Sequence, residues 1–151
     1  MSTIKAFIED PGLDAKARPR SKRARFLTPF EVALDDATRR AKTGEWDGAK
    51  GAAFVGLYAF CHRRVYGMLP VDLEPDITFR TAAKSAAEVV HRAFDDDGCA
   101  MAEFIVWCWD REKRKLEWAR QKKIDLRRIS WRVQFSRSME ADYRLARSQR
   151  R

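Results

Sequence analysis

Apolar residues recur along most of the chain at the three- and four-residue spacing of helices, and the first such stretch carries its own start signal. In "TPFE", Thr28 stands as N-cap, Pro29 at the first helical position and Glu31 where its carboxylate can return to the Thr28 amide, a capping box. The spacing predicts a helix over 29–42, with Phe30, Leu34, Ala37 and Ala41 on one side and Gly44 as its stop. A second helix follows in "GAKGAAFVGLYAFCHRRVYG", with Asp47 as its expected cap. Phe54, Leu57, Tyr58, Cys61 and Val65 keep helical spacing while Val55 and Phe60 widen the apolar arc, which marks it as central and largely buried. Gly67 closes it, and the prolines of "MLPVDLEPD" make a connection.

Phe79, Ala82, Ala83, Ala86, Val90 and Ala93 trace a third helix whose alanine-rich face permits close helix approach, ended by "DDDG". A fourth, over 99–122, begins with Met101, Phe104, Ile105 and Cys108 facing one way and Trp107 and Trp109 widening the stripe. In its second half, "DREKRKLEWARQKK", only Leu116 and Ala119 continue a thin apolar line, so this half is expected to leave the core for solvent.

The stretch "RRISWRVQFSR" breaks the pattern. Ile129, Trp131, Val133 and Phe135 alternate with polar residues, the period of a half-buried strand. No second strand is legible to share its hydrogen bonds, whereas Trp131, Phe135, Met139 and Tyr143 fall at successive four-residue steps behind Asp125 as N-cap, with Ile124 and Ile129 as a hydrophobic staple. The helix is the preferred reading; the strand survives if it pairs with a copy of itself. The expected fold is therefore all-α, a compact bundle of about five helices. A flexible basic arm over 1–26 precedes a single helical domain over 27–151, whose residues 111–151 form a projecting basic C-terminal extension.

Charge sharpens this picture. Residues 1–25 carry seven Lys/Arg against three acids and residues 111–151 fifteen against five, while the middle holds nine against fourteen. The surplus of +9 thus sits in two terminal zones around an acidic body, a layout suited to polyanion contact. Lys16, Arg18, Arg20, Lys22, Arg23 and Arg25 form an arm that condenses onto phosphates; Arg127, Arg128, Arg132, Arg137 and Arg144 form a second patch, with Arg128 and Arg132 sharing one helix side and Arg137 and Arg144 another. Trp131, Phe135 and Tyr143 are candidates for stacking on bases, against the plainer reading that they are an amphipathic helix's buried face. A weaker candidate is the polar face of the third helix, with Arg80, Thr81, Lys84, Ser85 and Glu88.

Other chemistries find little support. The three cysteines, Cys61, Cys99 and Cys108, are odd in number and widely spaced, and with His62 and His91 they lack metal-ligand spacing, so neither a disulfide framework nor a metal site is expected. No nucleophile elbow, Walker A sequence or dinucleotide-binding glycine pattern occurs, so no catalytic residue and no cofactor is expected. No apolar run reaches membrane-spanning length and the first residues lack a signal-peptide pattern, so the expected place is cytoplasmic, or nucleoid-associated or nuclear if eukaryotic.

The charge layout loosely resembles that of small accessory proteins of phages and mobile elements that act in replication, packaging or transcription control. The function expected from the chain is thus non-enzymatic binding of DNA or RNA. The alternatives are an adaptor docking its basic ends onto an acidic surface of a larger protein machine, and a homodimer formed through the fourth helix or by pairing of "ISWRVQF".

Overall fold

The computed structural model describes residues 27–149, so the arm 1–26, with the six candidate cations of 16–25, and the last two arginines lie outside the described residues. Among the described residues the regular structure is six α-helices and one 3-10 turn, with no strand. Helix α1 (Pro29–Thr43) begins as its sequence predicts: Thr28 Oγ1 accepts from the Glu31 amide at 3.1 Å, and the Thr28 amide donates to Glu31 Oε1 at 3.3 Å. Gly44, at φ +75°, ends the helix in the left-handed region that glycine enters without strain.

Helix α2 (Gly51–Tyr66) is the centre of the molecule, with eleven of its sixteen residues buried, so that almost no face of it meets water. Asp47 does not cap it; Lys50 occupies the N-cap position and makes no side-chain capping bond. Helix α3 (Asp76–Phe94) follows after the 3-10 turn Val71–Leu73, and α4 (Gly98–Lys122) after the aspartate turn. The backbones on either side of α2 come very near. A Cβ on Gly56 would stand 2.2 Å from the Ala33 carbonyl oxygen of α1, and one on Gly51 would stand 2.0 Å from that of Ala83 on α3. Glycines on α2 facing alanines on α1 and α3 thus let three helices close to backbone distance.

Asp97 caps α4 by accepting from the Ala100 amide at 3.1 Å. The first half of α4 is core, with Met101, Phe104, Ile105, Cys108 and Trp109 fully buried, while residues 113–118 are exposed apart from a half-buried Leu116. The chain then turns back through Lys123, at φ +57°, and the region expected to project instead contributes Ile129, Trp131, Phe135, Met139 and Tyr143 to the common core.

The ambiguous stretch is neither a strand nor a single helix. Residues 124–130 are irregular, followed by the short helix α5 (Trp131–Gln134) and then α6 (Arg137–Gln149). Two tyrosines of α2 take the place of a ladder partner: Tyr58 Oη donates to the Ile129 carbonyl at 2.8 Å, and the Ile129 amide donates to Tyr66 Oη at 2.7 Å. The backbone there is satisfied without a neighbouring strand. Ser130, not Asp125, caps α5 by accepting from the Val133 amide at 3.3 Å, and Ser136 accepts from the Met139 amide at 3.1 Å, so two serines split the expected helix. Across the bundle, Arg92 of α3 pairs with Glu140 of α6, an otherwise buried carboxylate. No helix among the described residues is long and apolar enough to cross a membrane.

Candidate nucleic-acid interface

The C-terminal cations fall on three different elements. Arg127 and Arg128 lie in the irregular segment, Arg132 on α5, and Arg137 and Arg144 on α6, all exposed. Because the helix begins only at Trp131, the expected four-residue helical relation between Arg128 and Arg132 does not form. Arg137 and Arg144 do share a side: both sit on α6, two turns apart, away from the buried Met139 and flanking Glu140, the carboxylate that pairs with Arg92. None of the five pairs with a carboxylate among the described residues, so their charge is not spent within the fold. Arg128 is held by other means. Its guanidinium lies over the Tyr66 ring at 5.6 Å, and its Nη1 lies 2.8 Å from Met68 Sδ. Arg132 similarly covers Trp131 at 4.6 Å.

The expected stacking residues are core residues. Trp131, Phe135 and Tyr143 are each less than one-tenth exposed. Tyr143 sits with its ring centroid 5.2 Å from both Phe104 and Trp107, and Phe135 packs 6.2 Å from Tyr58. Their four-residue spacing marked a buried face, and burial removes the rings from any base. The polar face of α3 is likewise engaged with itself: Arg80 pairs with Asp76 at 2.6 Å, Thr81 Oγ1 donates to the Ile77 carbonyl at 2.9 Å, and Glu88 pairs with Arg92 at 3.0 Å. Residues 129–135 form no strand in the single chain.

Behind Arg128 lies a cluster of buried and half-buried polar side chains from α2 and α4. His62 Nδ1 lies 2.6 Å from the Met68 carbonyl. A carbonyl only accepts, so Nδ1 carries the proton and neutral His62 is the Nδ1–H tautomer. Burial lowers the His62 pKa below its ordinary value, against the opposing pull of that hydrogen bond. Tyr66 is pushed up to about 12 by burial first, and Glu112, which hydrogen-bonds it, is also raised by burial. Trp109 closes the cluster, its ring 5.2 Å from Tyr66 and 5.8 Å from His62. The chemistry of this group is that of a scaffold: it fixes Tyr66, which in turn holds the Ile129 backbone and the Arg128 guanidinium.

Asp47, Asp97 and Cys99 bring three possible metal-donor atoms within 4.8 Å of one another, a grouping that sequence spacing could not show because Asp47 comes from the loop before α2. Asp97 is occupied there as the α4 cap, and the Cys99 thiol lies 3.8 Å from Asp47 Oδ1. An open groove of about 600 Å³ runs beside α1, lined by Leu27, Val32, Ala33, Lys50, Ala53 and Phe79 among others.

Trp118 is a surface residue that the apolar pattern of its helix does not single out. On the outer half of α4 it is 51% exposed, the single aromatic ring among the exposed large hydrophobic side chains of the described residues. A signal for it existed: it lies within "KRKLEWARQKK", where the neighbouring turns offer cations and not apolar partners. Comparisons with protein-family models, curated proteins and solved structures gave no match.

Proposed function

We propose that the chain is a non-enzymatic nucleic-acid-binding protein that contacts phosphates through its basic terminal zones. One observation carries this reading: charge is segregated along the sequence, and the exposed C-terminal arginines 127, 128, 132, 137 and 144 find no carboxylate partner among the described residues. Unpaired guanidinium groups suit bidentate phosphate contact, and their spread over an irregular segment and two helices fits sequence-tolerant backbone binding better than a single reading helix. The six cations of 16–25 add a second zone of the same sign.

The test is titration of the purified, nuclease-treated chain against single- and double-stranded DNA and RNA of equal length. The reading expects binding at low salt and its loss in Arg128→Glu with Arg132→Glu; unchanged affinity in that variant removes those two residues from the interface.

A second reading, an adaptor that docks on a larger protein, draws on the groove beside α1, where Leu27 and Val32 expose apolar surface. A complex with a protein partner that persists after nuclease treatment, from a chain that binds no nucleic acid, favours it.

A further inference from the structure

The outer half of α4 concentrates charge around one exposed ring. From Arg111 to Lys123 the chain carries seven Lys/Arg against two glutamates. Helical periodicity places Arg114 and Lys115 one turn before Trp118 and Lys122 one turn after it, all on the same side, with Arg111 two turns before. Neighbours at this spacing have Cβ atoms about 5–6 Å apart, so Arg114, Lys115 and Lys122 flank Trp118 along the helix surface.

The other four tryptophans are used within the fold: Trp46, Trp109 and Trp131 are buried, and Trp107 packs on Tyr143 with the Arg111 guanidinium 4.7 Å over its ring. Trp118 has no such cover, since no described cation or ring lies over it. The acids facing this side are few and partly committed. Asp110 lies 3.5 Å from Arg114, Asp142 of α6 lies 3.5 Å from Arg111, and Glu117 flanks the ring on the helix. Lys115 faces the Glu112 carboxylate one turn before it, which it helps to keep charged, while Lys122 pairs with no carboxylate among the described residues.

An amphipathic helix burying a tryptophan in its own core explains Trp107 and Trp109 but not a half-exposed indole set among cations. We infer that Trp118 is a base-stacking platform for single-stranded nucleic acid, with Lys115, Lys122 and Arg114 holding the phosphates on either side of the stacked base. Only an unpaired strand presents the face of a base to a ring on a convex helix; in a duplex both faces are covered by neighbouring base pairs. This deepens the nucleic-acid reading above and rests on it. It also assigns the stacking role to a ring the fold leaves open, in place of Trp131, Phe135 and Tyr143, which it encloses.

The experiment compares the full chain with Trp118→Ala, Trp118→Phe and the pair Lys115→Glu with Lys122→Glu. Each is titrated with a labelled single-stranded oligonucleotide and with a duplex of the same length, after circular dichroism and a melting curve confirm folding. Trp118→Ala is expected to weaken single-strand binding by about 5- to 150-fold, the range of one stacked base, while Trp118→Phe keeps most of the affinity. The salt dependence of Trp118→Ala should match wild type because the ring carries no charge; the lysine pair should flatten it. Duplex binding should not respond to Trp118→Ala. If wild type binds and Trp118→Ala binds single strands equally well, the stacking role is overturned while nucleic-acid binding stands. If wild type binds neither form, both fall together.

Discussion

Gly56 offers a stringent test of the helix packing, because adding one methyl group there pits two effects of opposite sign against each other. In a helix interior Ala is favoured over Gly by about 1 kcal/mol, so on local grounds Gly56→Ala should stabilise α2. The structure predicts the reverse. A Cβ at that position would stand 2.2 Å from the Ala33 carbonyl oxygen, 2.7 Å from its carbon and 2.9 Å from the Ala37 Cβ. The first two atoms belong to the backbone of α1 and cannot rotate away, so the helices must separate. Overpacking of a close-packed interior costs about 1–3 kcal/mol and sometimes more, and a rigid obstacle places this site at the upper end. Set against the propensity gain, the net loss should be about 2 kcal/mol, a fall in Tm of about 5–10 °C for a domain of this size. Thermal and urea unfolding followed by circular dichroism reads it directly. A companion Ala37→Gly removes only the third of the three contacts and so should not restore stability. A Gly56→Ala chain as stable as wild type, or more so, would refute the close approach of α1 and α2.

Two further variants test the interior. Gln134 is fully buried, and its amide meets no oxygen or nitrogen partner among the described residues, only the Cys108 thiol, a weak hydrogen-bonding group; Gln134→Met should therefore raise stability by about 1 kcal/mol, and a loss of that size in urea unfolding would show that the amide is well partnered. His62 should give a pH signature: burial lowers its folded pKa below the ordinary 6.5, so the unfolded chain takes up a proton that the folded one resists. Its contribution is fully present above pH 6.5 and lost as pH falls from there toward the lowered folded value. Glu112, raised by burial, acts with opposite sign, losing stability as pH rises from the carboxylate range. The slope of stability against pH near 6 should thus be less positive in His62→Gln than in wild type, and identical slopes would contradict the assignment.

The four long helices up to Lys122 were legible because their determinants are local. The Thr28–Glu31 box, Gly44, Gly67 and the apolar periodicity each act within a few residues, and the alanine face of α3 announced the close approach that Gly51 and Ala83 make. The cap of α2 was misread because Asp47 was near enough in sequence but its carboxylate turns toward Cys99, more than fifty residues away. The stretch after α4 was less legible still. Its backbone is satisfied by Tyr58 and Tyr66, residues 71 and 63 positions earlier than Ile129, and no local pattern encodes such a partner. The serines that split it were visible as capping residues, yet the four-residue recurrence of Trp131, Phe135, Met139 and Tyr143 suggested continuity. That recurrence reported burial correctly, for all four are core residues, and for the same reason three of them were poor candidates for stacking. Charge was easier to read than geometry: the exposed arginines stand where composition placed them, while Trp118 stood out only once the other tryptophans were seen to be enclosed.

The central claim, that the C-terminal basic surface binds nucleic-acid phosphates, is tested most directly by the slope of log affinity against log salt for the full chain, measured beside Arg137→Glu with Arg144→Glu. These two residues are exposed and pair with no carboxylate among the described residues, and circular dichroism with a melting curve checks that the variant folds as wild type does. Phosphate binding by this surface predicts a wild-type slope of about −2 or steeper on single strands, as expected for three or more phosphate contacts, and a slope shallower by about one or more in the variant. A flat wild-type slope, or a variant indistinguishable from wild type across the salt series, would contradict it.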